Sequence, residues 1–340
     1  MRYLLLASLL SFTVLTVQAQ YQDYSRMGKT PAELQFIDDP MIIELKEPSW
    51  WFFNPSKASP QDQLTFAIEL EQRGDKKAAL SAYDALVHEW HATAEALTAQ
   101  LALARLNAEL GNVQAAYDAE IYLLAHFSGR FTLEPILVDV FAQADTLAAR
   151  NEKETLFGFK FASRQAMRQN YERIIHFAPR WARVPDLLLR IGELYEADEE
   201  YASALTIYDR IIVKWQGYAA MDTVIYRYCA ACREQANQWR NDTGRLRHLE
   251  RLIAGARAYR STHASAAKFD TWQQEIYLMR RNGSYEKAAF YDNAKTYSID
   301  AAIRAYQTFL QEFPDAPQAQ AVTARIAELS LHERAPKETL

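Results

Sequence analysis

Six residues between 188 and 208 restrict the fold of this chain more than any others: Leu188, Ile191, Gly192, Tyr195, Ala204 and Tyr208. Counted from a helix start they fall at positions 4, 7, 8, 11, 20 and 24 of a unit. That spacing describes two antiparallel helices joined by a tight turn. Gly192 and Ala204 are small where the two helices cross closely, and Leu188, Ile191, Tyr195 and Tyr208 are large where the pair must fill space. A single hairpin of this kind cannot bury its apolar face alone, so neighbouring hairpins must stack on it.

The pattern recurs. Gly74, Ala79 and Tyr83 repeat the Gly-x4-Ala-x3-Tyr half of the unit, and Gly111 with Ala116 repeats it again 37 residues later. Ala302, Tyr306, Leu310 and Pro314 match positions 20, 24, 28 and 32, the last being the proline that ends a second helix. Tyr171, Ile174 and Pro179 fit more loosely, with Met167 where a small residue belongs. This is the tetratricopeptide pattern. It predicts an all-α solenoid of about six helical hairpins over residues 61–331. Composition agrees: ten Gly and eleven Pro in 340 residues leave few helix breakers, and no sustained period-two alternation argues for a sheet.

The first nineteen residues stand apart. Arg2 supplies a positive start, Leu4 to Val17 is an apolar run, and Val17-Gln18-Ala19 places small residues at positions −3 and −1 of a cleavage site. These features describe a secretory signal peptide at 1–19. Processing there predicts a mature chain that begins at Gln20, with net charge −6 once Arg2 is removed from the −5 of the whole. No cysteine follows the leader to carry a lipid. The reading is of an exported, periplasmic protein. An irregular segment, 20–60, precedes the solenoid, and a polar tail, 332–340, follows it.

Catalytic and metal signatures do not assemble. Cys229 and Cys232 are three apart in a helical stretch, and no second Cys pair or His-x3-5-His completes a zinc site. They read as structural thiols or a local disulfide. His88-Glu89-Trp90-His91 spaces its histidines by three, where the zincin motif needs four. No Gly-rich phosphate loop or Gly-x-Ser-x-Gly elbow occurs. The expectation is therefore no catalytic residue, no metal and no cofactor. Asn241-Asp242-Thr243 and Asn282-Gly283-Ser284 match glycosylation sequons but read better as turn and cap residues between helices.

Two features point to partners. Trp50, Trp51, Phe52 and Phe53 stand consecutively between Pro48 and Pro55. They read as a cover for the open apolar end of the first hairpin, or as an aromatic anchor for a partner or a membrane interface. Charge is also uneven. Residues 61–160 hold fifteen acidic against eight basic residues, and residues 240–287 hold ten basic against five acidic. Arg247 and Arg251 lie four apart, away from the Leu246, Leu249, Ile253 and Ala256 face, and mark a candidate docking face for an acidic partner surface or anionic lipid. Nucleic acid is not expected, because basic and aromatic residues are not interleaved.

The chain resembles the BamD/YfiO family of outer-membrane β-barrel assembly proteins. Ala67 to Tyr83, with Gly74-Asp75 and Ala78-Ala79, is similar to that family's first repeat. Tyr171-Glu172-Arg173-Ile174-Ile175 with Ala178-Pro179 resembles the end of a second helix, and Ala301 to Leu310 with Phe313-Pro314-Asp315 resembles the closing repeat. The resemblance implies a periplasmic scaffold that binds an assembly partner, unfolded envelope proteins, or both, in peripheral contact with the outer membrane. The departure is Gln20, where family members carry a lipidated cysteine. The alternative reading is a repeat adaptor for cell-wall or division machinery. Intact-mass analysis of the exported protein is expected to give a chain starting at Gln20 without lipid; a retained leader or an added diacylglyceryl mass overturns that expectation.

Overall fold

The computed structural model describes residues 43–48, 54–153, 155–156, 159–160, 164–240, 242–259, 266–293 and 298–334. The signal peptide and the Trp50–Phe53 run lie outside them. The fold is all-α: among the described residues thirteen helices pack as sequential antiparallel pairs. They are α1 (Pro60–Gln72), α2 (Lys76–Trp90), α3 (Ala94–Glu109), α4 (Val113–His126), α5 (Leu133–Lys153), α6 (Arg164–Phe177), α7 (Val184–Ala197), α8 (Tyr201–Lys214), α9 (Met221–Gln238), α10 (Thr243–Tyr259), α11 (Ala266–Tyr291), α12 (Ile299–Glu312) and α13 (Ala319–Arg334). Six pairs run from α1/α2 to α11/α12, and α13 closes on α12. The last helix extends into the segment read as a polar tail. Between α5 and α6 lies a two-residue antiparallel ladder, Thr155 against Lys160 and Leu156 against Phe159, too short to register as an alternating pattern. The chain divides into two compact units, one ending at Arg190 and the other beginning at Ile191. Among the described residues no helix is long and apolar enough to cross a membrane.

Three of the pairs turn in the same way. Gly74, Gly111 and Glu199 each adopt a left-handed conformation, with φ of 84°, 74° and 60°. The following amide closes the helix end by reaching back five residues: Asp75 N to Leu70 O at 3.0 Å, Asn112 N to Asn107 O at 2.9 Å, and Glu200 N to Tyr195 O at 2.9 Å. This six-residue closure satisfies orphan carbonyls and needs a left-handed residue, which glycine adopts without strain and glutamate does not. Glu199 is thus the counterpart of Gly74 and Gly111. Asp75, which follows the turn, caps α2 by accepting from Ala78 N at 3.0 Å.

Inside four of the six pairs a small residue sits where the helices cross; in α5/α6 the place holds Met167 and in α9/α10 Leu249, both buried. Ala79, Ala116, Ala204 and Ala302 are each fully buried, and a tyrosine four residues on is buried beside three of them: Tyr83, Tyr208 and Tyr306. Leu188, Ile191 and Tyr195 on α7 are buried as well. Gly192 faces Tyr208 so closely that a Cβ added to it would lie 2.3 Å from the tyrosine ring. Pro314 falls in the turn after α12. One local expectation is corrected. Asn282-Gly283-Ser284 is not a turn but part of the 26-residue helix α11. A Cβ on Gly283 would meet the carbonyl oxygen of Arg240 at 3.3 Å, so the glycine serves close packing rather than a bend.

A polar relay ties successive pairs together. A carboxylate in, or just after, a first helix accepts from the tyrosine of the second helix and from an arginine of the next first helix. In α1/α2, Tyr83 donates to Glu71 at 2.9 Å and Arg105 of α3 bonds the same carboxylate at 2.6 Å. In α5/α6, Tyr171 donates to Asp145 at 2.7 Å, and Arg190 of α7 lies 3.3 Å from it. In α7/α8, Tyr208 donates to Glu196 at 2.6 Å and Arg227 of α9 bonds it at 3.0 Å. In α11/α12, Tyr306 donates to Asp292 at 3.2 Å, and Arg325 of α13 grips both its oxygens at 2.8 Å. Arg325 holds the Asp292 carboxyl below its ordinary value, while burial raises the Tyr306 phenol to about 12.

Glycine-to-alanine changes separate a close crossing from open helix. Gly192→Ala should lower stability by about 1–3 kcal/mol through overpacking against Tyr208. Gly255→Ala, in α10 with open space around it, should raise stability by up to about 1 kcal/mol through helix propensity. Thermal melts of the two variants should move in opposite directions.

Candidate functional site

The face of α2 and α4 holds an extended piece of chain. Asp84 and His88 lie one turn apart on α2, and Asp118, Tyr122 and His126 lie one turn apart on α4, so each set shares a helix face. Residues 43–48 cross them. His126 Nε2 donates to the carbonyl oxygen of Ile43 at 3.0 Å, and His88 Nδ1 donates to that of Glu47 at 2.7 Å. Between these points the Lys46 amide donates to the Tyr122 hydroxyl at 3.3 Å, and its ammonium reaches Asp84 at 2.6 Å. The Lys46 ammonium also lies 5.3 Å from the centre of the Tyr122 ring. Ile43 packs against the apolar core of α1 to α4, whose buried members include Leu86, Leu103 and Leu123.

The contacts are those of side chains with main-chain carbonyls and one lysine of the same chain. Carbonyl acceptors fix the donating nitrogens as Nδ1 of His88 and Nε2 of His126. The carboxylate of Asp84, a quarter exposed, meets a lysine that is equally exposed. Burial raises the carboxyl of Asp118, against the opposing pull of Gln114, Arg173 and Lys46. Burial also raises the phenol of Tyr122, which keeps it a neutral hydrogen-bonding group. Two carbonyls four residues apart, the lysine between them and Ile43 at one end are what α2 and α4 hold of residues 43–48.

The residues singled out in the sequence fall elsewhere. Trp50, Trp51, Phe52 and Phe53 lie outside the described residues. Arg247 on α10 is paired with Glu312 of α12, and Arg280 of α11 joins Glu312 at 2.9 Å and Glu250 at 3.0 Å. The basic region there is largely met by its own acids, and Arg251 lines the same shallow cleft with Gln273. Cys229 and Cys232 are free, buried thiols, and burial raises both; Cys229 is pushed up to about 12. His91 caps α2, while its neighbour in the sequence fragment, His88, belongs to the peptide-holding face. Among the described residues no group of three or more His, Cys, Asp or Glu side chains could hold a metal ion. Asp84, Tyr122 and His126 carry no motif; a helical wheel alone could have shown that they share faces, not that a distant segment would lie on them.

No protein-family model matches the sequence, and no curated protein matches it. Among solved structures it is similar to a tetratricopeptide repeat protein from Parabacteroides merdae, with 11% identity over 80% of this chain and 98% of that one, at a TM-score of 0.30. The helix pairing described above rests on its own geometry.

The hold on residues 43–48 can be read by proteolysis. Each neutral hydrogen bond is worth roughly 0.5–1.5 kcal/mol net. Replacing both imidazoles, in a His88→Ala and His126→Ala double variant, should therefore release the segment while the helices stay folded. Tryptic cleavage after Lys46 is expected to accelerate roughly tenfold or more under conditions where opening is fast. An unchanged rate would mean the imidazoles do not hold it.

Proposed function

We propose that this chain is an exported, non-enzymatic repeat scaffold that holds protein partners in extended form, and that those partners belong to outer-membrane protein assembly. The observation that carries the reading is the hold of α2 and α4 on residues 43–48. Main-chain carbonyls are common to every polypeptide, so a face that grips two of them selects extended conformation together with one placed charge. Such a face suits unfolded or extended envelope chains. The leader at 1–19 supports export, and the likeness of residues 67–83 and 301–315 to assembly-protein repeats supports the assembly role. Arg247 and Arg251, and the Trp50–Phe53 run, remain candidate contacts for an acidic partner or a membrane interface.

Affinity capture on the full chain from envelope extracts, with mass spectrometry of what is recovered, tests this reading. Recovery of barrel-assembly components supports it. Recovery of cell-wall synthases instead moves the chain to the adaptor role for cell-wall or division machinery. Recovery of nothing above a control protein of similar charge overturns the scaffold reading itself.

A further inference from the structure

The relay is missing at two pairs, and at one of them, α3/α4, the break has a chemical sense. In three relays the tyrosine stands six residues before its helix ends, thirteen before the next helix begins and nineteen before the arginine: Tyr171 and Arg190, Tyr208 and Arg227, Tyr306 and Arg325. The pair α3/α4 keeps the same register into α5, with Glu120 at the tyrosine place and Asp139 at the arginine place. The carboxylate place is empty of charge too. Glu71 lies three residues before Gly74 and Glu196 three before Glu199, and the residue three before Gly111 is Ala108. The relay place of α3/α4 therefore holds two carboxylates and no cation.

This is not neutral drift of a dispensable feature. The pair α9/α10 also lacks the relay, and there the two places hold Ile253, fully buried, and Trp272. Apolar residues replace an ion pair with little loss, whereas an unpaired buried carboxylate is costly. Glu120 is 3% exposed and its Oε2 has no hydrogen-bond partner. Gln100 of α3, fully buried, donates to the carbonyl of Ala119, but its Oε1 is also unpartnered. Two buried side-chain oxygens in one helix pair thus have no hydrogen-bond partner, and Asp139 stands exposed at the rim. The arginines at the same register are themselves 34–46% exposed, so the cation of a relay reaches its acid from the solvent side.

We propose that the corner formed by Glu120 and Asp139 receives a basic side chain of a protein partner, an arginine by its donor geometry, which supplies in trans the cation that α7, α9 and α13 supply in cis. Arginine fits because its planar fork can bond two separated oxygens at once. The inference rests on the scaffold reading and adds the partner's chemistry. Binding is linked to a proton. Burial, with Asp139, pushes the Glu120 carboxyl up to about 8. Of the elements packed on α4, α5 contributes Asp139, α6 contributes Arg173, which faces Tyr117, and Lys46 of the extended segment faces Asp118. Arg105 and Glu109 of α3 are committed to each other and to Glu71 and Lys76. An incoming guanidinium must displace the Glu120 proton, so affinity should rise with pH from 6 towards 8, by up to about tenfold per unit.

The test uses the full chain and two probes, the peptide acetyl-Ala-Leu-Ala-Arg-Ala-Leu-Ala-amide and its citrulline twin, which keeps the shape and loses the charge. Calorimetry at pH 6, 7 and 8 should show at least a tenfold preference for the arginine peptide at pH 8, shrinking as pH falls. A Glu120→Gln and Asp139→Asn double variant, near-isosteric and checked for fold by circular dichroism, should lose the preference. A triple variant that completes the relay in cis, Ala108→Glu with Glu120→Tyr and Asp139→Arg, should also lose it and melt above the wild type. Equal affinity of the two peptides for the wild type overturns the inference, as does a preference that survives in the double variant or ignores pH. A melting midpoint raised by calcium chloride but not by the arginine peptide overturns it in favour of a metal ion. If envelope capture recovers partners while the peptides are not distinguished, the scaffold reading stands and this inference alone falls.

Discussion

The carboxylate shared between a tyrosine and an arginine is the interaction on which the helix pairs depend. Each one joins three helices: the acid comes from one, the phenol from its hairpin partner and the guanidinium from the next pair. Glu71, Asp145, Glu196 and Asp292 all serve in this way. Apolar packing of alanines, leucines and tyrosines supplies most of the driving force, but it is directionless and tolerates sliding. A hydrogen-bonded ion pair at a fixed register does not. Removing one member would leave a partly buried charge unpaired, a cost between the roughly 0–1 kcal/mol of a surface pair and the roughly 3–5 kcal/mol of a buried one. The relay thus specifies which turn of one helix meets which turn of the next.

The two pairs without it show what the constraint permits. At α9/α10 the polar set is exchanged for Ile253 and Trp272, and Trp272 packs 5.5 Å from Tyr226. That solution removes charge from both sides, and among the described residues of α9 and α10 no buried side-chain polar atom lacks a partner. At α3/α4 the exchange is one-sided, with Glu120 and Asp139 facing each other without a cation. A local rule broken without an internal compensation is where function is to be sought in an otherwise consistent repeat. The corner also lies in the part of the chain where acidic residues outnumber basic ones by seven.

The same stretch of chain presents a second surface on different residues. Asp84, His88, Tyr122 and His126 grip residues 43–48 by main chain and by one lysine. Glu120 faces the relay corner, whereas Asp118, Tyr122 and His126 share the face that carries the segment. A single helix, α4, thus carries on one face the chain's own residues 43–48 and on another the corner proposed for a basic side chain.

The sequence by itself determined the helix pairs. A small residue at four of the crossings, a tyrosine four residues on at three of these and a turn glycine at two recur at fixed spacing, because helix geometry allows few ways to bring two rods within contact distance. Gly74 and Gly111 announced their turns; Glu199, which takes the same left-handed conformation, did not, since glutamate carries no such signal. The acidic and basic imbalance was legible as composition, but not that Arg247 and Arg280 would spend themselves on Glu312. The relay was beyond sequence reading of any one repeat, because its three members come from three helices and its arginine lies 31 to 45 residues from its acid. Nothing in the spacing marks Gln100, Glu120 and Asp139; tertiary packing buries the first two and sets Asp139 beside Glu120. Spacing along the chain fixes which residues share a helix face; only the stacking of helices decides which face is buried, and with it which charge is left without a partner.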